Sequence, residues 1–163
     1  MAVLWDTTLV SRIQPSSIAL AYFERALVTE ARVLVPAVSV AEVVWGHARV
    51  ARTRPTFDQL LRWLGRFLAR ADVTVVPLAR GASFAAGRLR AACPVPPHRR
   101  RDERRSKPER RVAWVFDLQI AATAWMSGLP VATENVADFE RIVELLAELF
   151  PRATRLEVRP SPL

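Results

Sequence analysis

The sequence predicts an α/β protein with a mainly parallel sheet and helices on both faces. Two observations carry that prediction. Short, valine-rich runs alternate with longer segments of helical period along nearly the whole chain, the order in which helical crossovers connect parallel strands. The chain has 163 residues, 51% of them apolar and 25% charged, enough to close one ordinary core without disulfide or metal staples. A single domain over residues 1–163 is expected.

The elements follow in order. Ala2 to Trp5 is a short apolar run stopped by Asp6, a first strand. Ser16 or Ser17 caps a helix running to Thr29. Val33 to Val35, stopped by Pro36, is the second strand. Ser39 is the expected N-cap of the next helix, because Glu42 stands three residues on at capping-box spacing and the helix continues towards Arg52. Phe57, Leu60, Leu61, Leu64, Phe67 and Leu68 keep helical spacing, with Arg62, Arg66 and Arg70 on the other face. Asp72 to Leu78 alternates and is the third strand. Gly81 to Cys93 is a helix with Ala85, Leu89 and Ala92 inward. From Pro94 to Val112 apolar periodicity disappears, so Pro94-Val95-Pro96-Pro97 and the arginine-rich stretch after it predict a loop insert. Val115 to Met126 is a buried helix ended by Gly128, Pro130 to Thr133 a fourth strand, Asp138 to Leu149 a helix and Arg155 to Val158 a final strand.

Charge is uneven. The net charge is +8, and residues 98–111 hold eight basic side chains against three acidic ones, leaving +3 for everything else. A local basic cluster is the footprint expected for phosphate backbones, and equally that of a solvated loop. Several classes drop out. One cysteine, Cys93, permits no internal disulfide and fits a reducing compartment. The first residues lack a basic leader, and the uncharged run from Leu118 to Thr133 is too short and too broken to span a bilayer, so a cytoplasmic protein without membrane contact is expected. Only His47 and His98 exist, which argues against a histidine-rich metal site or a histidine triad. No glycine-rich phosphate loop precedes Lys107, the one lysine.

What remains is a set of acids in apolar surroundings. Asp6 is the lone charge between Met1 and Ser11, Glu42 between Val33 and Gly46, and Asp117 between Trp114 and Gly128. Burying an unpaired carboxylate costs several kcal/mol, and a hard divalent cation held by clustered oxygens offsets that cost. In a parallel sheet, Asp6 and the residues after the fourth strand, Thr133 to Asp138, meet beyond the carboxyl ends of the strands. Glu42 and Asp117 are expected to reach the same rim from the first turns of their helices. Four such acids can hold Mg²⁺ for attack of water on phosphorus. Taken singly, each also fits an ordinary strand-end or helix-cap role.

These residues bear a resemblance. Leu4-Trp5-Asp6-Thr7, Ser39 to Gly46, Asp117 to Ala124 and Thr133-Glu134-Asn135-Val136-Ala137-Asp138-Phe139 are similar, in order and spacing, to a PIN-domain ribonuclease of the VapC toxin type. The resemblance covers nearly the whole chain. It implies a PIN-like three-layer fold, a five-stranded sheet in the order 3-2-1-4-5, and Mg²⁺- or Mn²⁺-dependent cleavage of RNA. It further implies a homodimer and an antitoxin whose tail occupies the groove beside the active site. By position, Asp6, Glu42, Asp117 and Asp138 match the family's catalytic, metal-holding acids. Thr7, Thr133 and Asn135 match the polar residues that orient them. Thr8 stands where the family most often has asparagine, and the basic insert at about residues 94–112 is absent from typical members. Its Arg99, Arg100, Arg101, Arg104, Arg105, Arg110 and Arg111 are candidate RNA contacts. Two competing expectations are a PIN-like module that holds RNA without cutting it, and a metal-dependent DNA nuclease or phosphatase on the same architecture.

Overall fold

The computed structural model describes residues 2–28, 33–97 and 106–163. Along the chain these form β1 (Val3–Trp5), α1 (Thr7–Val10), α2 (Ile18–Val28), β2 (Val33–Pro36), α3 (Ala37–Ala51) and α4 (Thr56–Leu68). Then come β3 (Thr74–Val76), α5 (Arg80–Ala92), α6 (Lys107–Met126), β4 (Val131–Thr133), α7 (Val136–Leu149) and β5 (Val158–Pro160). The five strands are parallel and ordered 3-2-1-4-5, as the resemblance implies.

The pleat sorts the strands into two cores. Leu4 and Val131 face one side, into a cluster with Leu89, Trp114, Leu118 and Phe139 from α5, α6 and α7. Their neighbours Trp5 and Ala132, with Val33 and Val35, face the other side and meet Leu9, Phe23, Leu64 and Phe67. β1, β2 and β4, three or four residues long and covered on both faces, read as continuous apolar runs rather than alternating ones, whereas β3 is largely exposed.

Several expectations are corrected. α3 begins three residues earlier than predicted, with Pro36 as its N-cap and no capping side chain. Ser39 is instead fully buried, and its hydroxyl accepts from Thr7 Oγ1 at 3.2 Å. Glu42 therefore sits in the second turn, not the first. Of the two candidate caps for α2, Ser17 does the work: its Oγ accepts from Leu20 N at 3.0 Å. Ala92 is exposed rather than inward, because it lies in the last turn of α5. The final strand lies at Val158–Pro160, after the buried Leu156, not over residues 155–158.

The largest correction concerns the insert. Its last six residues are not loop: α6 starts at Lys107, capped by Ser106, whose Oγ accepts from Glu109 N while the Glu109 carboxylate accepts from Ser106 N, with Pro108 in the first turn. Asp117 consequently sits mid-helix. Trp114, 1% exposed, anchors this extension by donating from Nε1 to Cys93 O at 2.7 Å.

Candidate active site

Leu4 and Trp5 pair with Val131 and Ala132, so the next residues, Asp6 and Thr133, emerge side by side at the carboxyl rim of the sheet. Asp6 is 1% exposed and is held by three neutral donors. Thr8 Oγ1 and Leu9 N donate to Oδ1 at 2.6 and 3.3 Å, and Thr133 Oγ1 donates to Oδ2 at 2.6 Å. Among the described residues no cationic side chain pairs with it. Burial pushes its carboxyl above the ordinary carboxylate value, and the bonds from Thr133 and Thr8 pull it only part of the way back.

Thr133, fully buried, uses its hydroxyl twice: it donates to Asp6 and accepts from Asn135 N at 2.8 Å. The Asn135 side-chain amide then donates to Asp138 Oδ2 at 2.8 Å and to Asp117 Oδ2 at 3.3 Å. One chain of bonds thus runs from Asp6 through Thr133 and Asn135 to both other acids. An amide that serves two carboxylates partly neutralises their mutual repulsion, as a cation would more completely.

Glu42 comes from α3. It is half-buried, and it lines a cavity of about 290 Å³ between α3 and α6 with Trp45, Arg49 and Phe116. One turn earlier on α3, Ser39 accepts from Thr7. Thr7 thus orients α3 rather than touching an acid. Among the described residues no three acid, histidine or cysteine side chains stand close enough to hold a metal ion between them. The donor chemistry nevertheless suits a hard cation, since every candidate ligand is a carboxylate oxygen.

Of the candidate RNA contacts, Arg99, Arg100, Arg101, Arg104 and Arg105 lie outside the described residues, whereas Arg110 and Arg111 sit on the opening turns of α6. His47 packs its ring on Phe57 with centroids 5.6 Å apart, and burial lowers its pKa. Thr8, which the sequence marks as a departure beside Asp6, both donates from Oγ1 to Asp6 and accepts from Glu134 N at 3.2 Å. Sequence reasoning overlooks one contributor, Arg12, whose Nη2 closes on both Glu134 carboxylate oxygens at 2.8 Å. Nothing local announces that pair, whose members are far apart in sequence.

No family model matches the sequence, and no curated protein does. Solved structures do. VapBC2 from Rickettsia felis, bound to a DNA fragment from the promoter, is similar at a TM-score of 0.61 and 16% identity, covering 98% of each chain. DNA-bound VapBC from Salmonella typhimurium gives 0.58 and 18%, also over 98% of each. VapBC-5 from Mycobacterium tuberculosis, a member of the VapBC family of toxin–antitoxin systems, gives 0.51 and 23% over 99% of this chain and 98% of that one. At such identities the likeness is one of fold, and it agrees with the sheet order. The chain has the VapC-type PIN-domain fold.

Proposed function

We propose that this chain is a Mg²⁺- or Mn²⁺-dependent endoribonuclease and the toxin half of a toxin–antitoxin pair. One observation carries the reading: Asp6 is a carboxylate buried to 1% exposure with only neutral partners among the described residues. Such a group lacks the opposite charge that ordinarily offsets its desolvation, and it stands at the strand rim where ligands bind in this class of sheet.

Asp6, Glu42, Asp117 and Asp138 would hold the cation. When bound, it would activate water for in-line attack on phosphorus and offset charge on the leaving oxygen. The chain's own residues supply the positioning. Thr8 and Thr133 fix the two Asp6 oxygens. Asn135 holds Asp117 and Asp138 on one amide nitrogen, which keeps one oxygen of each on the same side. Glu42 would reach the cation from α3. The arginines of the segment 99–111 add affinity for the phosphate backbone. A small antitoxin protein and a second copy of the chain are the expected partners, the first covering the groove that Glu42 lines.

The absence of a preformed three-acid cluster among the described residues favours one other reading, a PIN-like module that binds RNA without cutting it. Assays on RNA, DNA and phosphomonoesters with added Mn²⁺, using Asp6→Asn as control, decide between them. The nuclease reading predicts RNA cleavage that the variant loses, and growth arrest on induction that co-expression of a neighbouring small gene relieves. RNA binding without metal-dependent cleavage would establish the module, and cleavage confined to DNA or phosphomonoesters would redirect the activity.

A further inference from the structure

We infer that the opening turns of α6 form one wall of a track for single-stranded RNA, leading from Glu42 to the loop after α5. The inference rests on the nuclease reading above and adds where the substrate lies. Three cavities adjoin along this face. The first, about 290 Å³, includes Glu42, Trp45, Arg49, Val112 and Phe116. The second, about 520 Å³, shares Val112 and Phe116 and adds Arg90, Val95 and Arg111. The third, about 320 Å³, shares Val95 and Arg111 and adds Lys107 and Arg110. Shared walls make them one groove. It follows α6 from Lys107 to Phe116, about 13 Å at the helical rise.

Three features point to a nucleotide chain as occupant. Among the described residues, the second and third cavities are lined by basic side chains and by no acid. In the first, Glu109 is turned back onto Ser106 at the helix cap. Next, Lys107 stands at the positive end of the α6 dipole, where a cation is disfavoured by a few tenths of a kcal/mol, and Arg111 follows one turn on. A sequence that sets charges against the local preference marks a site with another purpose, and a bound anion removes the conflict. Finally, Trp45 is 53% exposed and carries the Arg49 guanidinium 4.7 Å above its ring centroid. Cations interleaved with exposed aromatic planes suit phosphates and bases together; an acidic protein segment would use the charges and leave the ring idle.

The test measures binding of a fluorescein-labelled oligouridylate by anisotropy, in EDTA, across a salt series. The pair Arg90→Gln/Arg111→Gln should weaken binding about tenfold and flatten the log–log salt slope by about 1.4, the value for two single-strand phosphate contacts. Trp45→Ala should weaken binding about tenfold with the slope unchanged. Arg152→Gln, beyond the far end of α7, should match the parent. Because a double substitution can disturb folding, Arg90→Lys/Arg111→Lys is measured alongside; it should keep both slope and melting temperature. Unchanged affinity and slope in the glutamine pair overturn the track, as does arginine-dependent binding of oligoglutamate without binding of RNA. The two layers separate cleanly. RNA cleavage by the parent with unaltered binding in the variants removes the track alone. Track-dependent binding by a parent that cleaves no RNA with Mn²⁺ removes the nuclease reading alone.

Discussion

The rim at β1 and β4 and the α3–α6 groove hold the two halves of one acid set in different ways. At the rim, Asp6 is packed away from solvent and every donor around it belongs to the chain itself; the same bonds run on to Asn135, Asp117 and Asp138. Glu42 lies half-exposed in an open groove. Hydrogen bonds within the chain organise the rim half of the site and seal it from water, whereas the half at Glu42 is partly open to solvent. Removing a buried bond at the rim should therefore lower stability and cleavage together, whereas neutralising a rim acid should lower cleavage without lowering stability. Changes at Glu42 should move cleavage alone.

Asp6→Asn is the strongest way to break that contrast. Cleavage should fall by at least about a thousandfold. Stability should change with a definite sign. Burial raises the folded-state pKa of Asp6 above 3.8, so the folded form holds the proton more tightly than the unfolded form. Its contribution is full below pH 3.8 and is lost as pH rises through the folded pKa. The metal-free variant should lack that loss and melt at or above the parent temperature near neutral pH. A variant that melts lower and still cleaves RNA would make Asp6 a structural cap of α1.

Glu42→Gln should cost about a hundredfold in cleavage while the melting temperature of the metal-free protein stays within the range of surface substitutions, about 0.5 kcal/mol. Large destabilisation would show that Glu42 belongs to the organised half after all. Thr133→Val, which keeps shape but strands Asp6 Oδ2 and Asn135 N without their hydroxyl, should cost about 2 kcal/mol in chemical denaturation and about tenfold in cleavage. Normal stability would refute the buried chain of bonds.

His47→Gln is the smallest test. Burial lowers the His47 pKa below 6.5, so the unfolded chain binds the proton more readily. Stability contributed by the neutral ring is present above pH 6.5 and lost as pH falls through the folded value. The variant should show a weaker decline of melting temperature over that window, with cleavage at neutral pH retained. A large loss of cleavage would bring His47 into the site.

The organised half was legible in the sequence because parallel strands force it. Once β1 and β4 are read as buried neighbours, Asp6 and Thr133 must share a rim whatever the loops do. The fold was legible for the same reason: Leu4-Trp5 and Val131-Ala132 are apolar without interruption. The α3–α6 side was misread where local signals competed. Ser39 and Glu42 imitate a capping box, but the chain turns helical directly after Pro36 and tertiary packing takes the serine hydroxyl. Conversely the true capping box, Ser106 with Glu109, was hidden among arginines that carry no apolar period, and only Trp114 further on gives that extension something to bury. The Thr8–Glu134 and Arg12–Glu134 contacts depend on the meeting of two distant turns, which no spacing announces.

Asp117 tests the central claim most directly, since it shares the Asn135 amide with Asp138 and stands mid-helix, where no cap or helix end needs a charge. Melting curves with and without Mn²⁺, run beside RNA cleavage for the parent and Asp117→Asn, measure both halves of the account at once. Mn²⁺ should raise the parent's melting temperature through linkage. The variant should be as stable as the metal-free parent or more so, lose most of the Mn²⁺ shift and cleave no RNA. A variant that is less stable, keeps the shift and cleaves normally would contradict the metal-holding acid set outright.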